Sequence, residues 1–441
     1  MSRKKIVSTA SIFAVAILVI ALAGLALPAA AAANWAQTNY NGAHTGYNPS
    51  EKTLGVGNVA SLQLLWAASV AGGVTNFAVD GGVVYATGQA NNLVALNATT
   101  GAQLWSADNG GNGGYNGSGA IAIGGGLVFA QCDFPDSGGT AYGAICAYKA
   151  KTGKMVWQYS NPCNCLPEAG VESALIYANG VVYFGYHTGS GGQTHGIYAV
   201  KAATGKLLWG YGAYNNSLNI GAAAVAGSDV YLDYGNPPVI PAEIVALTTS
   251  NGTVTWTTPV STVNGEISVS GGVVYASTEW TGSDATVYAL KATTGATLWS
   301  YTYGTESWCG GGEAPSPPAI ANGVVYFQGV DGNLYALKAK NGTLIWSDTP
   351  NTGQCGFEVT TSPSLANGVL YINGGDNAGF ASNTTAYNAA TGDLLWGSPS
   401  PHGTLEMPPV IVNGILYFAS PGDSICESIC AYSVPAGEKK E

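Results

Sequence analysis

Short apolar runs separated by tight-turn dipeptides recur along most of the chain. Runs such as VVYA from Val83 and VVYF from Val181 and Val324 are rich in β-branched and aromatic residues, which favour strands. Asn-Gly dipeptides at 179–180 and 322–323 directly precede two of these runs, and both residues of such a turn take positive φ in a hairpin. Helical periodicity is not evident. The pattern predicts an all-β chain built from hairpins.

A longer repeat, ALNATTGAQLW in its first copy, is superimposed on this pattern. Each complete copy has a Gly six residues after its first Ala and a Trp ten residues after it. The complete copies are Ala95–Trp105, Ala147–Trp157, Ala199–Trp209, Ala246–Trp256, Ala289–Trp299, Ala336–Trp346 and Ala386–Trp396. An eighth copy, Ala431–Gly437, stops before its Trp, while Trp66 lies near the start without a copy around it. Successive Trp residues are 39 to 52 positions apart, a period typical of propellers or repeat arrays.

One unit, Pro318–Trp346, divides into the four strands PAIA, VVYFQ, NLYALKA and TLIW. A four-stranded sheet this short cannot bury both faces alone, so neighbouring units must pack radially. The last copy lacks a fourth strand, and LQLLW, ending at Trp66, is a fourth strand without a copy. We therefore expect an all-β, eight-bladed β-propeller of four-stranded antiparallel blades. Pairing of the N-terminal strand into the last blade would close the ring and remove the open edge.

The first residues have the layout of a secretory signal. Arg3, Lys4 and Lys5 precede an apolar stretch that ends in a run of Ala up to Ala33. The alternative is a retained membrane anchor, because the stretch approaches the length needed to span a bilayer. We expect a signal peptide at 1–33, one propeller at 34–437 and a charged tail at 438–441. The mature protein would then be exported, extracellular or periplasmic, with no membrane span after cleavage.

The charge balance excludes a nucleic-acid partner. The chain has a formal net charge of −11, and its only arginine, Arg3, lies in the predicted signal. Neutralising phosphates requires clustered Lys and Arg.

Eight cysteines in an exported chain predict disulfides rather than a metal site. Cys132 with Cys146 and Cys426 with Cys430 face each other across hairpins. Cys309 and Cys355 lie at matching places on adjacent units, so we expect a third pair there, whereas Cys163 and Cys165 are either bonded to each other or free.

The pattern A-x-[NKTS]-x-x-[TN]-G-x-x-x-W resembles the tryptophan-docking repeat of quinoprotein-type (PQQ-like) eight-bladed propellers, and it covers essentially the whole mature chain. The opening NWAQTNYNGAHTGYNP also resembles the leader of exported members. The resemblance implies that the docking residues are Trp66, Trp105, Trp157, Trp209, Trp256, Trp299, Trp346 and Trp396. The family usually has Asp at the third position, where this chain has Asn, Lys, Thr or Ser. It contains pyrroloquinoline-quinone dehydrogenases and non-catalytic relatives, including the envelope propeller that assists outer-membrane barrel assembly.

Basic and acidic residues occupy different places in the repeat. The turn between the third and fourth strands carries Lys149, Lys151, Lys154, Lys201, Lys206, Lys291, Lys338 and Lys340, whereas most acids fall in loops on the opposite side. Just before the innermost strand lie Glu172, Glu266, Glu313, Glu358 and Glu406, with Asn76, Asn116 and Asn219 near that position in other blades. Carboxylate and amide oxygens suit Ca²⁺, so these residues could form a metal-binding ring at the channel mouth. Alternatively, they cap loops or face water.

A quinone enzyme requires groups that this chain does not offer. The cofactor has three carboxylates, which arginines usually hold in bidentate fashion, and no Arg follows Arg3. The resemblance also implies a vicinal Cys pair, but Cys163 and Cys165 are separated by Asn164, and no C-x-x-C-H haem motif occurs. The histidines are His44, His187, His195 and His402. Of these, His187 and His195 bracket one loop, where hydrogen bonding at a hairpin base is favoured over metal binding. No catalytic or quinone-binding residue is therefore assigned.

The expected function is that of a secreted, non-catalytic binding or scaffold module. Its acidic loop face would take a protein, a carbohydrate or a small-molecule ligand. The alternative is a Ca²⁺- and pyrroloquinoline-quinone-dependent dehydrogenase of alcohols or sugars. A third class is a surface or matrix component in which the rigid disc itself is the function.

Overall fold

The computed structural model describes the chain from residue 34 onward, with gaps. The described residues are 34–88, 92–109, 120–132, 144–160, 170–171, 175–187, 194–212, 219–236, 240–261, 267–278, 284–304, 316–329, 331, 333–348, 361–376, 381–398, 407–420, 426 and 428–435. The predicted signal peptide and charged tail lie outside them. The described ranges contain one short 3-10 turn, η1 (Val59–Ser61), and no helix long and apolar enough to cross a bilayer.

The strands form eight antiparallel sheets, as predicted, and we letter the four strands of each blade A to D from the axis outward. Blade 1 contains β3 (Val74–Asp80), β4 (Val83–Gly88), β5 (Asn92–Asn97) and β6 (Gln103–Asp108). Blade 2 contains β7 (Ile121–Gly124), β8 (Leu127–Cys132), β9 (Ala144–Lys149) and β10 (Met155–Ser160). Blade 3 contains β12 (Ile176–Ala178), β13 (Val181–His187), β14 (Thr194–Lys201) and β15 (Leu207–Gly212), with β11 (Gly170–Val171) added beside β13. Blade 4 contains β16 (Asn219–Ala226), β17 (Asp229–Asn236), β18 (Ile240–Thr248) and β19 (Val254–Pro259).

The second half of the chain continues the series. Blade 5 contains β20 (Ile267–Ser270), β21 (Val273–Ser277), β22 (Asp284–Lys291) and β23 (Thr297–Gly304). Blade 6 contains β24 (Ala319–Ala321), β25 (Val324–Gln328), β26 (Leu334–Lys338) and β27 (Leu344–Asp348). Blade 7 contains β28 (Ser364–Ala366), β29 (Val369–Asp376), β30 (Ala381–Asn388) and β31 (Leu394–Gly397), and β1 (Tyr47–Asn48) pairs with β28 in parallel. Blade 8 contains β32 (Val410–Val412), β33 (Ile415–Ala419), β34 (Ile429–Ser433) and, as its D strand, β2 (Gln63–Ala68).

The ring is closed in the predicted way. β2 pairs with β34 from Gln63↔Ser433 to Ala68↔Ile429, so the strand containing Trp66 completes the last blade. The A strands contact one another in sequence around the axis, and β32 returns to β3. The all-β, eight-bladed fold expected from the repeat is thus confirmed.

The two tight turns of a blade lie side by side on one face of the disc. In blade 1 the N–H of Ala98, in the C–D turn, donates to the carbonyl of Gly82, in the A–B turn, at 3.0 Å. Equivalent bonds occur in blades 2 to 7. We call this side the turn face, and the side bearing the B–C and D–A connections the loop face.

Each docking interface is built from two neighbouring repeats. Seven of the repeat tryptophans donate from Nε1 to a carbonyl in the C–D turn of the following blade, at 2.8 to 3.1 Å. These pairs are Trp66–Ala98, Trp105–Ala150, Trp157–Ala202, Trp209–Thr249, Trp256–Ala292, Trp299–Ala339 and Trp346–Ala389. Trp396 instead makes an edge contact with Tyr432 of blade 8, with ring centroids 5.5 Å apart.

The repeat Gly forms the other side of the same interface. Gly153 has φ 66°, and a Cβ placed on it would come within 2.5 Å of the Trp105 ring. The Gly and the Trp of one repeat therefore serve two different blade interfaces. This explains why both residues recur at a fixed spacing.

Two disulfides lie within the described residues, Cys132–Cys146 and Cys426–Cys430. The first joins strands B and C of blade 2 at their loop-face ends, and the second closes the corresponding position in blade 8. The other four cysteines, Cys163, Cys165, Cys309 and Cys355, lie outside the described residues.

Candidate functional site

The leader segment 35–48, which we call the strap, runs around the axis and meets the A strand of every blade in chain order. Its hydrogen bonds are Trp35 N to Val79 O (2.8 Å) in blade 1, Ile123 N to Ala36 O (2.7 Å) in blade 2, Tyr177 N to Gln37 Oε1 (2.7 Å) in blade 3 and Val225 N to Gly42 O (2.6 Å) in blade 4. In the remaining blades they are Val269 N to Ala43 O (2.8 Å), Ile320 N to Thr45 O (2.9 Å), Leu365 N to Gly46 O (2.7 Å) and Asn48 Nδ2 to Ile411 O (2.7 Å). Because these contacts lie near the A–B turns, the strap covers the turn-face end of the central channel.

The strap is bent by a polar turn of its own. The Asn41 side-chain oxygen accepts hydrogen bonds from the backbone N–H groups of Ala43 and Thr45, and its amide donates to Thr45 Oγ1 at 2.9 Å. Asn side chains commonly organise turns in this manner. Trp35, Asn39 and His44 are all at most 3% exposed, so the strap is part of the core rather than a surface loop.

The buried His44 is neutral at physiological pH. Burial lowers the pKa of its imidazole to about 4, an effect that the backbone of Ile267 partly offsets. The channel floor therefore carries no cation at this position.

The loop-face end of strand B carries a series of buried polar side chains that the sequence did not draw attention to. The fifth residue of this strand is polar in six blades, namely Thr87, Gln131, Asp233, Ser277, Gln328 and Asn373, and each is at most 8% exposed. The corresponding residues in blades 3 and 8 are Gly185 and Ala419.

Two of these side chains fix the segment that enters the next innermost strand. Asn373 Nδ2 donates to the carbonyl of Met407 in the segment before β32, and Asn373 Oδ1 accepts from Thr384 Oγ1 at 2.8 Å. Ser277 Oγ donates to the carbonyl of Ser316 at 3.5 Å, just before β24. The chain entering blades 6 and 8 is thus held by hydrogen bonds near the mouth of the channel.

Two residues of the predicted metal ring adjoin these entering segments in sequence. Glu406 directly precedes Met407 in sequence, and Glu313 lies three residues before Ser316. However, Glu172, Glu266, Glu313, Glu358 and Glu406, together with Asn116, lie outside the described residues. Asn76 and Asn219 fall within β3 and at the start of β16. Among the described residues, no group of three His, Cys, Asp or Glu side chains could hold a metal ion.

The described lysines are confined to the turn face, whereas the described acids are more numerous at the loop face. Asp108 and Asp348 end D strands, and Glu243 and Asp284 lie at the starts of C strands, so all four are at the loop face. The lysines of the described residues lie at the turn face: the eight in C–D turns named above, and Lys52, whose carbonyl accepts from the Asn367 side chain of the blade 7 A–B turn.

One loop-face carboxylate, Asp331, is engaged within its own blade. Asp331 Oδ2 accepts from the Asn333 amide at 2.7 Å and from the Tyr335 hydroxyl at 2.5 Å. Burial, followed by this hydrogen bond, raises the pKa of Tyr335. Asp331 therefore organises a B–C connection.

The remaining sequence candidates are only partly described. His187 pairs across β13 and β14 with Thr194 rather than with His195, and a register shift occurs beside it. The backbone thus places both histidines at the hairpin base, and the hydrogen bonding expected of their side chains stays a prediction. His402 is outside the described residues.

The sequence matches the model of one protein family, described as outer membrane protein assembly factor BamB, over residues 51–301 and 242–431. No curated protein matches the chain. A quinohemoprotein alcohol dehydrogenase from Comamonas testosteroni is similar in structure, with a TM-score of 0.64 at 16% identity over 93% of this chain and 82% of that one. BamB from Moraxella catarrhalis gives 0.57 at 15% identity over 86% and 99%. A europium-containing methanol dehydrogenase gives 0.65 at 14% identity over 88% and 90%. At these identities the likeness concerns the fold alone.

Proposed function

The chain belongs to the family of the outer membrane protein assembly factor BamB, and on that premise we propose that it is an exported, non-catalytic binding module that takes its ligand or partner at the loop face. The family fold hosts both enzymes and scaffolds, and fold alone does not choose between them. The proposal therefore depends on the chain's own residues.

The strap is the observation that carries the proposal. It meets the A strands of all eight blades at their turn-face ends, and buried residues such as Trp35, Asn39 and His44 alternate with half-buried ones along it. A ligand on the propeller axis must therefore enter from the loop face. Asn373 and Ser277 hold the backbone at that entrance, so the mouth is preorganised.

Charge indicates what kind of ligand would bind there. Asp108, Glu243, Asp284 and Asp348 lie at the loop face, and the described lysines lie at the other. Such a field favours a cationic partner, for example a basic protein segment, and opposes an anionic one. The predicted glutamate ring would add oxygen ligands suited to Ca²⁺.

Pyrroloquinoline quinone fits this face poorly. Its three carboxylates require cations, and no described residue at the loop face is a lysine or arginine. The lysines that could serve are separated from the mouth by the strap. We therefore place the dehydrogenase second, supported by fold likeness to two dehydrogenases.

Calorimetry with Ca²⁺ tests the loop-face proposal. We expect binding to the full chain that is lost in a Glu172→Gln, Glu313→Gln variant and retained in an Asp229→Asn, Asp393→Asn variant, which removes two charges from the turn face. The absence of any Ca²⁺ response would overturn the ring. Saturable quinone binding with dye reduction in the presence of an alcohol would overturn the non-catalytic assignment.

A further inference from the structure

We propose that the turn face is a docking surface for an anionic lipid membrane, separate from the loop-face site. Its lysines would contact lipid headgroups, and apolar side chains at the adjoining edge of the disc would enter the interfacial layer.

The lysines are placed for such a contact. All eight C–D turn lysines are exposed, and they are confined to blades 2, 3, 5 and 6. The described acids on this face are fewer: Asp80, Asp229, Asp393 and the buried Glu51. A protein with a net charge of −11 thus keeps a basic surface on one side.

Apolar side chains accompany these lysines along the edge of the disc. Of the exposed large hydrophobic residues, all but Val56 lie on D strands, one or two positions before the repeat Trp. They are Leu64, Leu65, Leu104, Met155, Val156, Leu207, Leu208, Val254, Leu298, Leu344, Ile345 and Leu394, which are 38% to 62% exposed. All except Leu64 and Leu65 follow a C–D turn by a few residues, and Leu64 pairs with Tyr432 near the turn-face end of β34. The apolar positions therefore adjoin the turn face. Exposed apolar positions repeated in this way mark an interaction surface.

The combination of the two features favours a lipid surface over an acidic protein. Lysines beside exposed Leu, Val and Met resemble the composition of elements that lie in a membrane interface. The exposed apolar positions are spread over the D strands of all eight blades rather than gathered at one place on the edge. A bilayer is broad enough to contact lysines from four blades at once.

The position of Asn34 supports the same orientation. Its side chain accepts a hydrogen bond from the N–H of Gly81 in the blade 1 A–B turn at 3.3 Å. The described part of the chain thus begins at the turn face, directly after the stretch that the sequence predicts to be an export signal or a membrane anchor.

Vesicle co-sedimentation tests the proposal with the full chain. Vesicles of phosphatidylcholine alone are compared with vesicles containing phosphatidylglycerol at about one lipid in three. We expect preferential binding to the anionic vesicles that weakens as salt shortens the screening length, about 10 Å at 0.1 M. Each lysine near a charged surface contributes about a fivefold effect on binding.

Two variants separate the contributions. Lys151→Gln, Lys154→Gln, Lys206→Gln and Lys340→Gln together should reduce binding to anionic vesicles at least tenfold, relative to binding to neutral ones. Met155→Thr with Leu208→Thr should weaken binding to both. Thr is compatible with both positions, because blade 5 has Thr297 at the place of Met155 and blade 4 has Thr255 at the place of Leu208. Every variant retains residues 1–33, so differences report on the turn face, and thermal midpoints verify folding.

The matched control, Asp108→Asn with Asp284→Asn, alters charge at the loop face and should not weaken vesicle binding. Equal binding by the lysine variant and the unchanged protein would refute the proposal. So would lysine-dependent binding to soluble dextran sulfate without binding to vesicles, which would identify a polyanion surface instead. Neither result bears on Ca²⁺ binding at the loop face.

Discussion

The indole N–H of Trp66 donates to the carbonyl oxygen of Ala98 at 3.0 Å, and this bond joins the last blade to the first. The Tyr417 hydroxyl donates to the same oxygen, also at 3.0 Å. The Ala98 carbonyl is thus served by two donors, one from the N-terminal strand β2 and one from the C-terminal blade. The contact that closes the ring therefore has two hydrogen-bond donors to one carbonyl. The contact from blade 2 to blade 3 has no tyrosine donor, because Phe129 occupies the position equivalent to Tyr417.

We expect Trp66→Phe to destabilise the protein less than Trp157→Phe does. After Trp66→Phe the Ala98 carbonyl retains Tyr417 as a donor, whereas Trp157→Phe removes the indole donor to Ala202 with no tyrosine hydroxyl beside it. A buried acceptor without a donor costs about 1–3 kcal/mol. Adding Tyr417→Phe to Trp66→Phe should cost more than the sum of the single changes. Urea unfolding of the unchanged protein, Trp66→Phe, Tyr417→Phe and the double variant measures the three losses of unfolding free energy. Simple additivity of the two single losses would contradict the shared acceptor.

Gly153→Ala should be more destabilising than Gly126→Ala. Both glycines have positive φ, 66° and 78°, so either alanine incurs a conformational cost of about 1 kcal/mol or more. A Cβ at Gly126 would have no neighbour within 4 Å, whereas one at Gly153 would overlap the Trp105 ring. The overlap should add about 1–3 kcal/mol. Denaturant midpoints test the difference, and equal losses would mean that only backbone conformation matters.

Glu51→Gln should loosen the leader before it unfolds the ring. The buried Glu51 carboxylate accepts from the N–H groups of Thr53 (2.6 Å), Leu54 (3.1 Å) and Gly414 (2.8 Å), and so ties the leader to the blade 8 A–B turn. Hydrogen bonds to a charged acceptor are worth about 1.5–3 kcal/mol each, and a neutral amide weakens all three. Hydrogen exchange should increase at Thr53 and Leu54. Unchanged protection at these amides would show that the carboxylate charge is dispensable.

Acid should destabilise the protein partly through His44. Its folded-state pKa of about 4 lies below the ordinary value of 6.5, so between these values the unfolded chain takes up a proton that the folded chain does not. Stability is therefore lost as the pH falls from about 6.5 to about 4, by roughly 3 kcal/mol in all. His44→Asn suits the positive φ of 53° and should show a smaller loss over that window. The test is the free energy of unfolding of the unchanged protein and of His44→Asn, each measured at pH 7 and at pH 4.5. An equal loss of stability in the two proteins would exclude His44 as the cause.

The blades and their closure could be predicted because their determinants repeat. The Gly and the Trp of the motif recur at a constant separation since each packs against a neighbouring copy, as Gly153 does against Trp105. The last copy lacks a fourth strand, and the strand containing Trp66 lacks a copy. Pairing the two was therefore the arrangement that completed all eight blades.

The strap and the polar positions of strand B were not predicted, for different reasons. Most strap contacts use backbone atoms, such as the carbonyls of Ala36 and Gly42, so residue type carries little information about them. The strand B residues vary among Thr, Gln, Asp, Ser and Asn, which conceals their equivalence. Superimposing the repeats would have shown a polar residue at the end of otherwise apolar runs, as in VVYFQ at Gln328. The predicted glutamate ring lies outside the described residues and stays a prediction.

The strap also limits how this fold can change in blade number. Its hydrogen bonds follow the blades one by one from Val79 to Ile411, so its length corresponds to a circle of eight. Duplication or loss of one repeat would leave the strap too short or too long, and its carbonyls would no longer oppose the A-strand N–H groups. A change in blade number would thus require a coordinated insertion or deletion in a segment far away in sequence, which makes such changes harder to accumulate stepwise.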